Sequence, residues 1–235
     1  YWMRGGRPLN LLDRVETLRS QGLLLVTPRA NVELKITGHL GEAGLNENVY
    51  KPILDLMADH QIRTIAQIEQ TMRERSLTLV QVIQACQLLL AKGSFIQVQT
   101  GPVSEGVRAT SRALNRHIAS LARGSNELGH LASPVAAGGF PVSRFHQMML
   151  TQLQHGTTQG RPAEFSLGAP APAPTVDPAA LAGRVWQIIE GQNQRLIKEG
   201  KALQTREENI AELTEQANEF LHHQLPVLKT LGVEV

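Results

Sequence analysis

The 235 residues allow one large domain or two modest ones, and a hydrophobic share of 42 % excludes global disorder. Aromatics make up only 4 %, so the core must be built from Leu, Ile, Val and Ala, and a lone cysteine, Cys86, excludes an internal disulfide framework. With 23 basic against 21 acidic residues the net charge is +2, too little for phosphate neutralisation to dominate binding.

Regional charge does not change that conclusion. Residues 1–100 carry 11 basic and 9 acidic groups, residues 101–160 carry 5 and 2, and residues 161–235 carry 7 and 10. No segment has a concentrated basic stripe. No apolar run is long enough to span a bilayer, and the expected compartment is the cytoplasm. The chain opens at Tyr1 and reads like the interior of something larger, so it is expected to be a piece of a longer protein.

In chain order, Leu11, Leu12, Val15 and Leu18 recur at near-helical spacing over residues 11–21 before Gly22 ends the run. Two extended runs, 23–27 and 32–36, flank the turn-prone residues 28–31 and predict a small hairpin. Residues 1–44 thus form an N-terminal helix and hairpin.

Residues 45–105 carry more specific punctuation. Asn46 is a candidate cap for a helix with Val49, Ile53, Leu56 and Met57 on one face. Pro52 falls inside it, so either the helix starts later or it bends. Thr64 with Gln67, and Thr78 with Gln81, fit capping boxes for two further helices, with Leu77 and Val82 placed as a hydrophobic staple. The first of these turns Ile65, Ile68 and Met72 inward. The second carries Val82, Ile83, Leu88, Leu89 and Leu90 until Gly93, and a strand follows over 94–99. Three helices and a strand in this order predict a winged-helix-like module. Its third helix presents Gln81, Gln84, Gln87 and Lys92 outward with no arginine. That composition suits protein interaction better than DNA reading, which needs phosphate anchors to position base contacts.

Over 106–123 a helix is predicted with Ala113, Leu114, Ile118 and Leu121 as its stripe and Arg108, Arg112, Arg116 and Arg123 around it. Residues 131–140 are rich in small side chains, where Gly138 and Gly139 allow close backbone approach. Ser143 is placed to cap a helix containing Phe145, Met148, Met149 and Leu153. Residues 106–167 complete the body, and 168–176 form an extended Ala-Pro linker. The C-terminal piece, 177–235, is expected to be an antiparallel helical pair. Its first helix carries Leu181, Val185, Ile188, Ile189 and Leu196. Its second opens at a Thr205/Glu208 capping box and is lined by Ile210, Leu213, Ala217, Phe220 and Leu221. The fold class is α+β, mainly helical.

Chemical signatures are absent from this reading. Gly38, Gly41 and Gly44 follow a predicted strand, but their G-x-x-G-x-x-G spacing lacks the strand-to-helix turn of a dinucleotide loop, and no βαβ alternation surrounds them. The eight histidines have no ligand spacing: His222 and His223 are adjacent and diverge on a helix, and the others read as surface residues. Cys86 reads as a buried, inert thiol. No catalytic, cofactor-binding or metal-ligating residue is assigned.

Several stretches together resemble a known family. They are the opening Tyr1-Trp-Met-Arg-Gly-Gly-Arg7, Leu45-Asn-Glu-Asn-Val-Tyr-Lys-Pro-Ile53, and Leu131-Ala-Ser-Pro-Val135 running into Pro141-Val-Ser-Arg144. To these add Gly191-Gln-Asn-Gln-Arg-Leu-Ile-Lys-Glu-Gly-Lys201 and Glu207-Glu-Asn-Ile-Ala-Glu-Leu213. They are similar to the C-terminal half of bacterial class I methyltransferases with a methyltransferase regulatory domain, a group that includes rickettsial protein-lysine methyltransferases. The resemblance implies a regulatory or substrate-positioning role for this chain. It places the S-adenosylmethionine site in a catalytic domain upstream of Tyr1, with no cofactor in this chain. The implied partners are that catalytic domain in cis and a protein substrate, with no membrane and with a homo-oligomer left open. The alternative is a winged-helix transcription regulator that binds DNA and dimerises through its C-terminal helices.

Overall fold

The computed structural model describes residues 9–39, 41–158 and 176–235, with the side chains of 155–158 excepted. The chain is α+β and mainly helical, and it divides into two compact units, Tyr1–Pro102 and Val103–Val235. The opening motif 1–7 and, apart from Val176, the expected linker lie outside the described residues.

In the first unit, α1 (Leu11–Arg19) is capped by the Asn10 side chain and leads into β1 (Gly22–Leu25). The expected hairpin between 23–27 and 32–36 does not form. Instead β1 is the middle strand of an antiparallel sheet ordered β4-β1-β5, where β4 is Arg63–Thr64 and β5 is Phe95–Val98. Leu23, Leu24 and Leu25 have no exposed surface, so β1 needs cover on both faces, which a free-standing hairpin would not give. The hairpin lies later in the sequence, between β2 (Lys35–Gly38) and β3 (Gly41–Gly44). Residues 9–44 therefore share a unit with the module that follows them.

Helices α2 (Glu47–Leu56), α3 (Ile65–Met72) and α4 (Leu79–Ala91) pack Val49, Ile53, Ile65, Ile68, Met72, Val82 and Leu89 into one core with Leu23, Leu25 and Phe95. The Asn46 side chain accepts from the Asn48 N–H, so the helix starts there and contains Pro52. Both capping boxes are present, Thr64 with Gln67 and Thr78 with Gln81. Gly93 leaves α4 with φ +73, a conformation that favours glycine. The order helix, strand, helix, helix, strand is that of a winged-helix module, but the sheet's central strand enters from the N-terminal side. After β5 no further strand precedes α5, so the hairpin that would form a wing has no counterpart.

The second unit starts with α5 (Glu105–Leu121), capped by Ser104. Its expected apolar stripe is misassigned. The buried positions are Asn115, Ala119 and the following Ala122, while Leu114 and Leu121 are 50 % and 44 % exposed. The hairpin β6 (His130–Ser133) and β7 (Gly138–Pro141) packs against α5, and α6 (Arg144–Thr158) buries Met148, Met149 and Leu150.

Helix α7 (Pro178–Glu190) is shorter than expected. The chain turns at Gly191 and Asn193, the latter at φ +54, and forms a small hairpin, β8 (Ile197–Lys198) with β9 (Lys201–Ala202). Leu196 is buried outside any helix, its N–H held by the Asn209 side chain at 2.8 Å. Helix α8 (Arg206–Glu219) opens at the Thr205/Glu208 capping box and buries Leu213 and Ala217. A π turn at Phe220–Gln224 joins it to α9 (Leu225–Thr230). Pro226 supplies the local reason: it has no N–H to return to the preceding turn. This C-terminal region folds back on the unit, since the buried Ser133 hydroxyl donates to the Leu231 carbonyl at 2.8 Å and Arg112 pairs with Glu234 at 2.6 Å.

Candidate functional site

Three helices of the second unit bring together side chains far apart in sequence. Helix α5 contributes Arg116, Ala119 and Ser120, positions three and four apart that share one face, and the turn after it adds Arg123. Helix α6 adds Met148, Thr151 and Gln152, and α7 adds Ile188. With Val235 they line a recess of about 230 Å³ whose floor is aliphatic and whose walls carry two guanidinium groups. A wider recess of about 550 Å³ shares Arg123, Gln152 and Ile188 with it and adds Arg184, Gln187, Gly191 and Gln192.

The walls are held in place. Arg144, at the first turn of α6, donates from Nε to the Ala122 carbonyl and from Nη2 to the Arg123 carbonyl, both at 2.7 Å, and from Nη2 to Gln194 at 2.9 Å. One cation thereby satisfies the C-terminal carbonyls of α5 and ties them to the loop after α7. The buried Gln147 amide donates to the Leu128 and Val142 carbonyls.

The charged side chains that line the recess are all cationic. No acidic side chain lines either part, and among the described residues Arg116, Arg123 and Arg184 form no ion pair. The Nε of Arg184 is buried without a hydrogen-bond partner. The arrangement can bind an anion next to an apolar group; it holds no nucleophile and base in hydrogen-bond contact.

The residues singled out from sequence lie elsewhere and do not converge. On α4, Gln81 is spent in its capping box, accepting from the Thr78 N–H. Lys92 donates its ammonium hydrogens to the carbonyls of Glu33 and Lys35, so it is not available to a phosphate. Gln84 and Gln87 remain exposed. Gly38, Gly41 and Gly44 lie on the exposed, antiparallel strands β2 and β3. Cys86 is buried in the first unit's core, and burial pushes its thiol up to about 12.

Two histidines correct the surface reading. His60 is buried with Nδ1 2.8 Å from the Leu25 carbonyl. His146 lies against Phe220 with ring centroids 5.1 Å apart, and burial holds its imidazole below the usual histidine range. His222 and His223 are exposed. Among the described residues no cluster of three or more His, Cys, Asp or Glu side chains is placed to hold a metal ion. Nor is any described helix long and apolar enough to cross a membrane.

Sequence reasoning missed the arginine-lined recess. Arg116 and Arg123, seven residues apart, were the available signal, but Arg184 joins them only through the packing of α7.

Comparison with known proteins finds similarity to an uncharacterized protein of Synechocystis sp., 27 % identical over 232 residues. The match takes in 99 % of this chain and 41 % of that protein, so the chain spans less than half of the relative's length. No family model matches the chain, and no solved structure matches it.

Proposed function

We propose that this chain is the non-catalytic regulatory and substrate-positioning C-terminal part of an S-adenosylmethionine-dependent methyltransferase that acts on protein lysine. The observation that carries the reading is the resemblance of five stretches distributed from Tyr1 to Leu213 to the C-terminal half of such enzymes. It is supported by a relative in which the matching region is only part of a much longer protein. On this reading adenosylmethionine belongs to an upstream catalytic domain. That domain is the partner in cis, and the whole acts on a protein substrate in the cytoplasm.

A separate module has a physical rationale. Methyl transfer to lysine requires a long, flexible side chain to be held in line with the methyl group, and contacts remote from the reacting atoms can supply that orientation. The arginine-lined recess gives the module a surface able to make such contacts.

Calorimetric titration of adenosylmethionine tests the assignment. The expected result is no heat of binding on residues 1–235 and saturable binding on a longer gene product that includes the upstream domain. A micromolar adenosylmethionine site on this chain would overturn it.

A further inference from the structure

We infer that the arginine-lined recess of α5, α6 and α7 is a docking site for an acidic peptide segment that inserts one aliphatic side chain. Arginine's planar fork matches a carboxylate bidentately, and Arg116, Arg123 and Arg184 offer three such groups that form no ion pair among the described residues. Arg184 is already partly desolvated, which strengthens its attraction for an incoming anion. Charge complementarity therefore selects a negatively charged occupant.

The shape of the recess narrows the choice. The aliphatic part, about 230 Å³, suits a single side chain, and the adjoining polar part, about 550 Å³, leaves room for what flanks it. The floor, Ala119, Met148, Ile188 and Val235, is aliphatic and offers no aromatic ring on which a nucleobase could stack. The wider, polar part beside it has Gln152, Gln187 and Gln192 to hydrogen-bond an extended backbone. Such a surface takes a peptide with an aliphatic anchor and flanking Asp or Glu. This deepens the substrate-positioning proposal and rests on it for the view that the occupant is protein.

The test uses residues 1–235 and a fluorescein-labelled peptide of glutamates around one central leucine, read by fluorescence anisotropy without adenosylmethionine. Saturable binding is expected. It should weaken about tenfold or more in Arg116→Glu/Arg123→Glu, as loss of charge-assisted contacts implies, and also when the peptide's leucine is replaced by alanine. Both arginines are exposed, so the variant should keep its melting temperature; Ser120→Trp, which fills the recess from its wall, is the second variant and should also weaken binding. Equal binding of the peptide without leucine, with full competition by inorganic pyrophosphate, would reduce the recess to an anion site and overturn the assignment. So would no binding, binding unchanged in both variants, or tighter binding of a single-stranded RNA oligonucleotide. None of these outcomes bears on the adenosylmethionine titration, so the two proposals fail separately.

Discussion

The side-chain amide of Asn115, on α5, closes two hydrogen bonds on the backbone of one residue, Ala132 on β6. Its Nδ2 donates to the Ala132 carbonyl at 2.9 Å and its Oδ1 accepts the Ala132 N–H at 2.6 Å. Asn115 has no exposed surface, so the pair replaces the strand partner that β6 lacks on that side. Asn115→Ala would leave both half-buried backbone groups without this partner, at about 1–3 kcal/mol each. Urea denaturation should show a loss on the order of 3 kcal/mol. Asn115→Asp should also destabilise, because a carboxylate cannot donate to the Ala132 carbonyl.

Phe220 is fully buried at the start of the π turn, against His146. Phe220→Ala should cost on the order of 3 kcal/mol by lost transfer energy and cavity formation. Because α7 packs on α6, and Phe220, Leu231 and Glu234 meet His146, Ser133 and Arg112, deleting residues 177–235 should lower the melting temperature sharply and expose apolar surface. An unchanged melting temperature in a monodisperse remainder would show the C-terminal region to be a detached arm.

The burial that lowers the His146 pKa predicts a pH dependence of stability. The nearby Glu219 carboxylate opposes the shift without cancelling it. With the folded value below 6.5, the unfolded state takes up the proton first as pH falls. This contribution to stability is present above pH 6.5 and is lost as pH drops from there through the lowered folded value. Thermal melts across that window should show a steeper decline for the native chain than for His146→Gln.

Duplex DNA should bind weakly. With Lys92 and Gln81 engaged in intramolecular hydrogen bonds, α4 presents Gln84 and Gln87 without a phosphate anchor beside them. A salt titration should give a Kd no tighter than about 1 µM at physiological ionic strength, typical of non-specific contact. Sub-micromolar, sequence-specific binding would favour the transcription-regulator alternative.

Features encoded by neighbouring residues were legible in the sequence. The caps at Asn46, Thr64, Thr78 and Thr205 depend on a side chain and a backbone group two or three residues away, and all four form. What depends on distant partners was not legible. Residues 23–25 read as half of a local hairpin because nothing nearby indicates Phe95–Val98 as their partner. The buried face of α5 was misplaced because its key residue, Asn115, is polar and gains its place only by meeting Ala132. Leu196 continued the helical spacing of 181–189, yet the turn at Asn193 buries it by another route. Arg116 and Arg123 lie some sixty residues from Arg184 and read separately as solvated charges; the packing of α6 against both α5 and α7 makes them one site.

The position of β1 in the middle of its sheet also fixes when the first unit can be completed during synthesis. Leu23 pairs with Gln97 and Leu25 with Phe95, so the strand emerges from the ribosome long before its main partner. At the rates of translation that interval is several seconds, during which three consecutive leucines offer an unpaired apolar edge to other chains. A nascent chain that stalls between β4 and β5 therefore carries its aggregation hazard on the unpaired edge of β1, and a chaperone bound there has to release before residue 98 can close the sheet.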